Sequence, residues 1–451
     1  MRAGCLFVLL FAVLWGCEPY DDGASKEGFE DVDTVCDVSF SVRTVSSPVI
    51  STVGIVEWVT SMPRIDSAFI EFGKDTRYGL FAPVDLDTEN YRTLLIGMQQ
   101  RSTYHYRIVA KYDQKVCRSA DHIITTEGQP TALGPVYVTV NDAVGAPHGG
   151  YTVSSMIRAP YAFILDAEGE YVWWYNAPIS TISRARMSAD GKHMLIGNLN
   201  LKNNGIGAIV KVTMDGLQKE MIRLPDRHHD FTVLPDDGTI AYIEYEQDGL
   251  GTCDRLVERG PDGETKIIYT IREDFGHRAT DGEWCHTNAV NYDPGEDTYY
   301  LSILKLNAIL KIDRTQGELL WVLGGQDSTF DGPSWSHQHQ HQLLDNGNIL
   351  LFSNGEGGFD DANHSLALEY ALNGTEAIEA WRYDGGVGSS SLGDVQRLGN
   401  GNTLVTYSNA GIIHEVDTDA GTLLLSFVWP NDIVGYTIRR DSLYGPPQDY
   451  L

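Results

Sequence analysis

Three histidines stand at a comparable distance before a turn in three consecutive stretches of the chain: His229 before Gly238, His339 before Gly347, and His286 before the Glu296-Asp297 turn. An imidazole with its ordinary pKa of ~6.5 is largely neutral near pH 7, where it can attack an electrophile, exchange a proton or bind a metal. The matching positions in the flanking stretches are Ser183 and Gly393, so a cluster built from this trio is one-sided. Seven of the 13 histidines lie between His228 and His341, which a random scatter does not favour. The run His337-Gln-His-Gln-His341 puts three imidazoles on one face of an extended strand, where a metal could bind. Asp230 is the only carboxylate beside the trio, so no metal is expected. Taken singly, His228, His277 and His337 read as structural residues that satisfy their own hydrogen bonds.

Such a trio needs a scaffold that repeats. From Val136 onward a turn followed by an apolar strand recurs about every 50 residues, as in Asp190-Gly-Lys-His-Met-Leu-Ile196, Asn346-Gly-Asn-Ile-Leu-Leu-Phe352 and Asn400-Gly-Asn-Thr-Leu-Val-Thr406. A second hairpin closes most units, at Asp166-Ala-Glu-Gly169, Asp215-Gly216, Asp262-Gly263, Gln316-Gly-Glu318, Asn373-Gly374 and Ala420-Gly421. Four short strands per unit and six second hairpins predict an all-β, six-bladed β-propeller over residues 136–451. In a propeller, equivalent residues of the innermost strands converge on the central channel.

Residues 36–127 alternate strand-like runs such as Gly54-Ile-Val-Glu-Trp-Val59 with polar turns, which predicts a separate β-sandwich. The stretch Ser102-Thr-Tyr-His-Tyr-Arg-Ile108 is similar to a late strand of fibronectin type III domains, with Tyr104 as the tyrosine corner, a packing role.

Ahead of both units, Arg2 and the apolar run Cys5 to Trp15 have the length of a signal peptide. Leu14-Trp15-Gly16-Cys17 resembles a bacterial lipobox, which implies a lipidated Cys17 at the mature N-terminus, despite the unusual Trp15. Residues 18–35, rich in acid with Gly and Ser, read as a tether. The expected location is therefore the periplasm or cell surface, on an outer-membrane lipid anchor. Four cysteines remain, and their distribution favours the pairs Cys36–Cys117 and Cys253–Cys285 in an oxidising compartment. With 33 Lys and Arg against 62 Asp and Glu, the net charge of −29 repels a phosphate backbone and argues against nucleic acid as a partner.

Five segments in order resemble the bacterial arylsulfotransferase family: His228-His-Asp-Phe-Thr-Val-Leu-Pro235, Cys285-His-Thr-Asn-Ala-Val-Asn-Tyr-Asp293, Gly317-Glu-Leu-Leu-Trp-Val-Leu-Gly-Gly325, the stretch from Ser336 to Gly355, and Gly393-Asp-Val-Gln-Arg-Leu-Gly-Asn-Gly-Asn402. The resemblance implies an exported propeller with a small N-terminal β-domain that moves a sulfuryl group from a phenolic sulfate ester to a phenol by a ping-pong route through a sulfohistidine. It implies no nucleotide sulfate donor and no cofactor, in line with the lack of a phosphate-binding glycine fingerprint. Carried over residue by residue, it places the nucleophile on His339 and supporting histidines on His229 and His286. Asn288, Lys305 and His341 are the expected substrate contacts. The family's arginine on the following strand falls on Leu304, one residue from Lys305, and a one-residue offset on a strand points to the opposite face. Leu304 thus favours an alternative, a non-catalytic propeller that binds a ligand or protein through its channel mouth and the loop from Gly355 to Asp361.

Overall fold

The computed structural model describes residues 36–141, 145–200, 207–235, 238–247, 249–355 and 364–445. The signal run, Cys17, the tether and most of the Gly355 to Asp361 loop lie outside the described residues. The protein is all-β, built almost wholly from antiparallel sheets.

Toward the N-terminus two sheets face each other. One joins Phe40–Ser46, Gly54–Thr60 and Thr93–Leu95; the other joins Leu80–Pro83, Ser67–Gly73, Thr103–Tyr112 and Lys115–Arg118, with His122–Thr125 also paired to Thr103–Tyr112. Alternation along Thr103–Tyr112 turns Tyr104, Tyr106 and Ile108 inward against Trp58 and Phe72. The Tyr104 hydroxyl accepts the Gln99 N–H at 2.9 Å, which fits the packing role expected of it. The Cys36–Cys117 disulfide ties the first described residue to this core. This unit is not merely strung on a linker: Ile50, Val53 and Ile96 share a buried cluster with Trp173 and Ile438, and Ser47 Oγ donates to the Asp215 carbonyl at 2.6 Å.

Beyond it, six sheets follow in chain order among the described residues, five of four strands and one of five. The chain's two ends complete other sheets: Tyr137–Val140 pairs with Thr422–Val428 in the last, and Ile438–Arg440 pairs with Tyr151–Ser155 in the first. The arrangement is propeller-like, and the first strands of successive sheets are stitched together. Ser183 Oγ donates to the His229 carbonyl at 2.6 Å, the Val290 N–H to Asp230 Oδ2 at 3.2 Å, Asn288 Nδ2 to the Gln338 carbonyl at 2.8 Å, and the Tyr436 hydroxyl to the Asn288 carbonyl at 2.8 Å. These strands are Ile182–Met187, Arg227–Val233, Thr287–Asp293, Gln338–Leu343, Asp394–Arg397 and Ile438–Arg440; they carry His229, Asn288, His339 and His341, with His286 one residue ahead of Thr287. Many of their polar side chains are buried and paired, as burial demands. Arg184 reaches Asp230 with Nε at 2.9 Å and Asp394 with Nη1 at 3.2 Å, and lies over the Tyr436 ring at 4.3 Å.

Candidate active site

Four of the first strands begin with a register shift, and these shifts re-aim side chains. In Ile182–Met187 the pairing jumps between Ile182 and Arg184, in Arg227–Val233 between His228 and Phe231, in Thr287–Asp293 between Thr287 and Ala289, and in Gln338–Leu343 between Gln338 and His341. Each shift adds one residue to its strand, or two in Arg227–Val233, where His229 and Asp230 both leave the ladder. Matching the strands through their partners sets Asn288 level with His339, and His286 level with His337, two residues earlier. The sequence register had set His286 level with His339; the longer turn after Asp293 hides the offset.

Two of the trio nevertheless meet, and the third lies near enough for charge to couple it to them. His229 and His286 lie edge to face with ring centroids 4.7 Å apart, and the charge of His286 acts on both His229 and His339. His229, with φ of +50°, and His286, with φ of +60°, hold left-handed backbone, a costly conformation for such side chains that clusters at functional sites. His229 and His339 are each 2% exposed. Burial pushes the His339 imidazole down to about 3 and His229 well below its ordinary value, so both rings are neutral at pH 7.

The hydrogen on His339 can be assigned from its neighbours. Asn354 Nδ2 donates to the carbonyls of Ser389 at 2.5 Å and Leu392 at 2.9 Å, which turns its Oδ1 to His339 Nδ1 at 2.5 Å. An amide oxygen only accepts, so Nδ1 carries the hydrogen and Nε2 the lone pair. That lone pair accepts the Leu392 N–H at 3.0 Å. Leu392 itself holds φ of +55°, followed by Gly393 at +111°, where an added Cβ would lie 2.2 Å from the Phe352 ring. Glycine is therefore required for the loop to bring this amide onto His339.

The other expected residues fall at varied distances from the trio. Asn288 spends its amide N–H on the Gln338 carbonyl, so it offers the site its buried, unpartnered Oδ1, an acceptor rather than a donor. His341 does not share surroundings with His339. The bulge breaks the alternation that would have kept them on one face, and His341 lines a polar cavity with Arg184, Arg186, Asn291 and Asp394. Lys305 is not on a strand: Thr298–Ile303 ends first, and Leu304–Leu306 forms a 3₁₀ turn. Its Nζ donates to the Glu283 carbonyl at 2.6 Å and sits 3.5 Å from Glu283 Oε2, and Glu283 Oε1 in turn lies 3.1 Å from His286 Nδ1. Burial raises the Glu283 carboxyl, but the contact with His286 and the charges of His286 and Lys305 outweigh it and hold it at about 2. Lys305 thus acts on the trio through Glu283. The Cys253–Cys285 disulfide precedes Asp254 and His286 directly and ties two sheets' contributions together. No group of three or more His, Cys, Asp or Glu is arranged to hold a metal ion among the described residues.

Several contributors were not singled out from sequence. Asn354 has no signal of its own in the spacing, and His228, which reads as structural when taken singly, touches His229. Arg227 is buried beside them; burial lowers its guanidinium to about 10, its Nε and Nη1 have no hydrogen-bond partner, and its charge acts on His229.

The family described as Arylsulfotransferase (ASST) matches residues 137–436. No curated protein matches the sequence. Among solved structures, the chain is similar to one in a nidogen/laminin complex, at 10% identity over 64% of this chain and 97% of that one, with a TM-score of 0.45. A protein of unknown function from Desulfotomaculum acetoxidans is 11% identical over 78% of this chain and 98% of its own, with a TM-score of 0.42. Streptogramin B lyase is 14% identical over 65% and 87%, with a TM-score of 0.41.

Proposed function

The chain belongs to the arylsulfotransferase family, and on that premise we propose that it carries a sulfuryl group from a phenolic sulfate ester to a phenol through a sulfohistidine on His339. The observation that supports this best is the convergence of His229, His286 and His339, with Asn354 setting the lone pair of His339 on Nε2. In the first half-reaction Nε2 attacks sulfur, the S–O bond to the aryl group breaks, and its electron pair leaves on the phenolate. In the second, the acceptor's oxygen attacks sulfur, the N–S bond breaks, and its pair returns to Nε2. Substrate arrival must displace the Leu392 N–H from Nε2, and that amide is then free to meet a sulfuryl oxygen. Negative charge on the group in transit also needs a cation. Leu304 cannot supply one; Arg227, with two unpartnered nitrogens, is assigned that part. The unpartnered Oδ1 of Asn288 suits an acceptor's hydroxyl hydrogen.

On this reading the six sheets are six blades, and the N-terminal sandwich is fibronectin type III-like. Incubation with a chromogenic aryl sulfate should release the phenol, and adding phenol as acceptor should raise the rate. If no release occurs with any aryl sulfate tried, the non-catalytic, ligand-binding alternative replaces this reading. We also propose anchoring at Cys17 on the exported side of the membrane. Mass spectrometry of membrane-fraction protein should find an acylated N-terminal Cys17, and Cys17→Ser should yield soluble protein; an unprocessed cytoplasmic chain contradicts the anchor.

A further inference from the structure

Behind His229 stands a second pair that the transfer just described does not use. Asp254, His228 and His229 are buried, at 0%, 0% and 2% exposure. Asp254 Oδ2 accepts the Thr287 N–H at 2.6 Å, and Oδ1 lies 3.0 Å from His228 Nε2. Carboxylate oxygens only accept, so His228 Nε2 carries a hydrogen. The lone pair of a neutral His228 is then on Nδ1, which lies 2.6 Å from His229 Nδ1. That contact is a hydrogen bond only if His229 Nδ1 donates. The Tyr245 ring, stacked on His228 with centroids 3.9 Å apart, holds the middle imidazole in place. The series ends with the lone pair of His229 on Nε2, on the ring that meets His286.

We infer that Asp254 and His228 are positioning residues that set the tautomer of His229 and make its Nε2 the acid–base atom of the sulfuryl transfer; this inference rests on the aryl sulfate reading above. As the acceptor's oxygen attacks sulfur, its proton passes to His229 Nε2. The imidazolium so formed is stabilised through His228 by the Asp254 carboxylate. Because burial makes this imidazolium acidic, it gives the proton up to solvent once the new ester has left, and the phenolate released from the next donor takes one up from solvent, so one proton enters and one leaves per turnover. The logic is that of an oriented general base, whose usefulness depends on which nitrogen bears the hydrogen.

Asp254→Asn tests it with almost no change of shape. With Oδ1 kept on the Thr287 N–H, the new amide must donate to His228 Nε2. His228 Nδ1 then carries the hydrogen, and His229 is left with its hydrogen on Nε2. With 4-nitrophenyl sulfate as donor, kcat/KM for the acceptor should fall ~10²-fold or more with phenol, whose hydroxyl proton Nε2 must take, and less than ~10-fold with pentafluorophenol, which is already a phenolate at neutral pH. Equal losses with both acceptors would mean a structural role and overturn the inference. Two-bond ¹H–¹⁵N correlation spectra of the histidine-labelled wild type give a readout that needs no turnover and no variant. His229 should show its hydrogen on Nδ1; a hydrogen on Nε2 refutes the relay. Should wild type turn over no aryl sulfate, the functional reading fails, and with it the acid–base role, while the spectrum still decides the tautomer.

Discussion

His339→Ala should cut aryl sulfate turnover by more than ~10⁴-fold, because it removes the atom on which the sulfuryl group is held rather than a group that eases its passage. His286→Ala should cost about 10²- to 10³-fold, the usual range for a lost transition-state donor, and His229→Ala about 10²- to 10⁴-fold, the usual range for a lost acid–base group. The fold should survive all three. In His339→Ala the buried Oδ1 of Asn354 loses its partner, at a cost of about 1–3 kcal/mol, so the variant should melt lower but cooperatively. Steady-state kinetics beside thermal unfolding separates the two effects. A His339→Ala protein with activity within tenfold of wild type would move the nucleophile elsewhere in the cluster.

The second large effect is on stability. Arg184 is 2% exposed and bridges two buried carboxylates, Asp230 and Asp394, from different sheets. Removing one partner of such a group leaves uncompensated charge, so Arg184→Ala should lose about 3–5 kcal/mol in urea unfolding. The loss should depend on pH. Burial already raises the Asp394 carboxyl to about 6 even though the Arg184 charge opposes the shift. Without the arginine it rises further. A carboxyl with a raised folded pKa opposes folding once it ionises, so stability should recover as pH falls through that pKa toward the unfolded value of ~4. The variant should therefore be closer to wild type at pH 5 than at pH 7. A flat difference across that range would mean that Asp394 is not the group left exposed to the loss.

How much could be read beforehand varies by feature, for physical reasons. The repeating sheets were legible because each unit carries turn glycines such as Gly347 and Gly401 at positive φ, which leave a mark in sequence. His229 and His339 could be counted back from two such glycines, Gly238 and Gly347, whereas His286 precedes a turn without one. Both disulfide pairs found in the structure are those favoured from their placement. What failed was register. The bulges at His229, Asn288 and His339 insert one or two residues without any composition signal, so spacing alone sets His286 two positions off and puts His341 on the face of His339. Lys305 was judged by strand alternation although its strand ends at Ile303. Asp254 had no local signal at all. It sits on Cys253–Arg259, the third strand of its sheet, and meets His228 only through pairing across that sheet. The closing strands Tyr137–Val140 and Ile438–Arg440 were hidden likewise, because each completes a sheet begun at the far end of the chain.

The central claim is a covalent sulfuryl group on His339, and the direct measurement is the mass of the trapped protein. Wild type mixed with aryl sulfate and no acceptor, digested at mild alkaline pH, should gain one sulfuryl mass on the peptide holding His339 and His341. Fragmentation should place it on His339, and His341→Ala should keep the label. A label on the peptide holding His228 and His229, or on His341, would contradict the assignment of the nucleophile. No label on any peptide, with phenol nonetheless released, would contradict the two-step route itself.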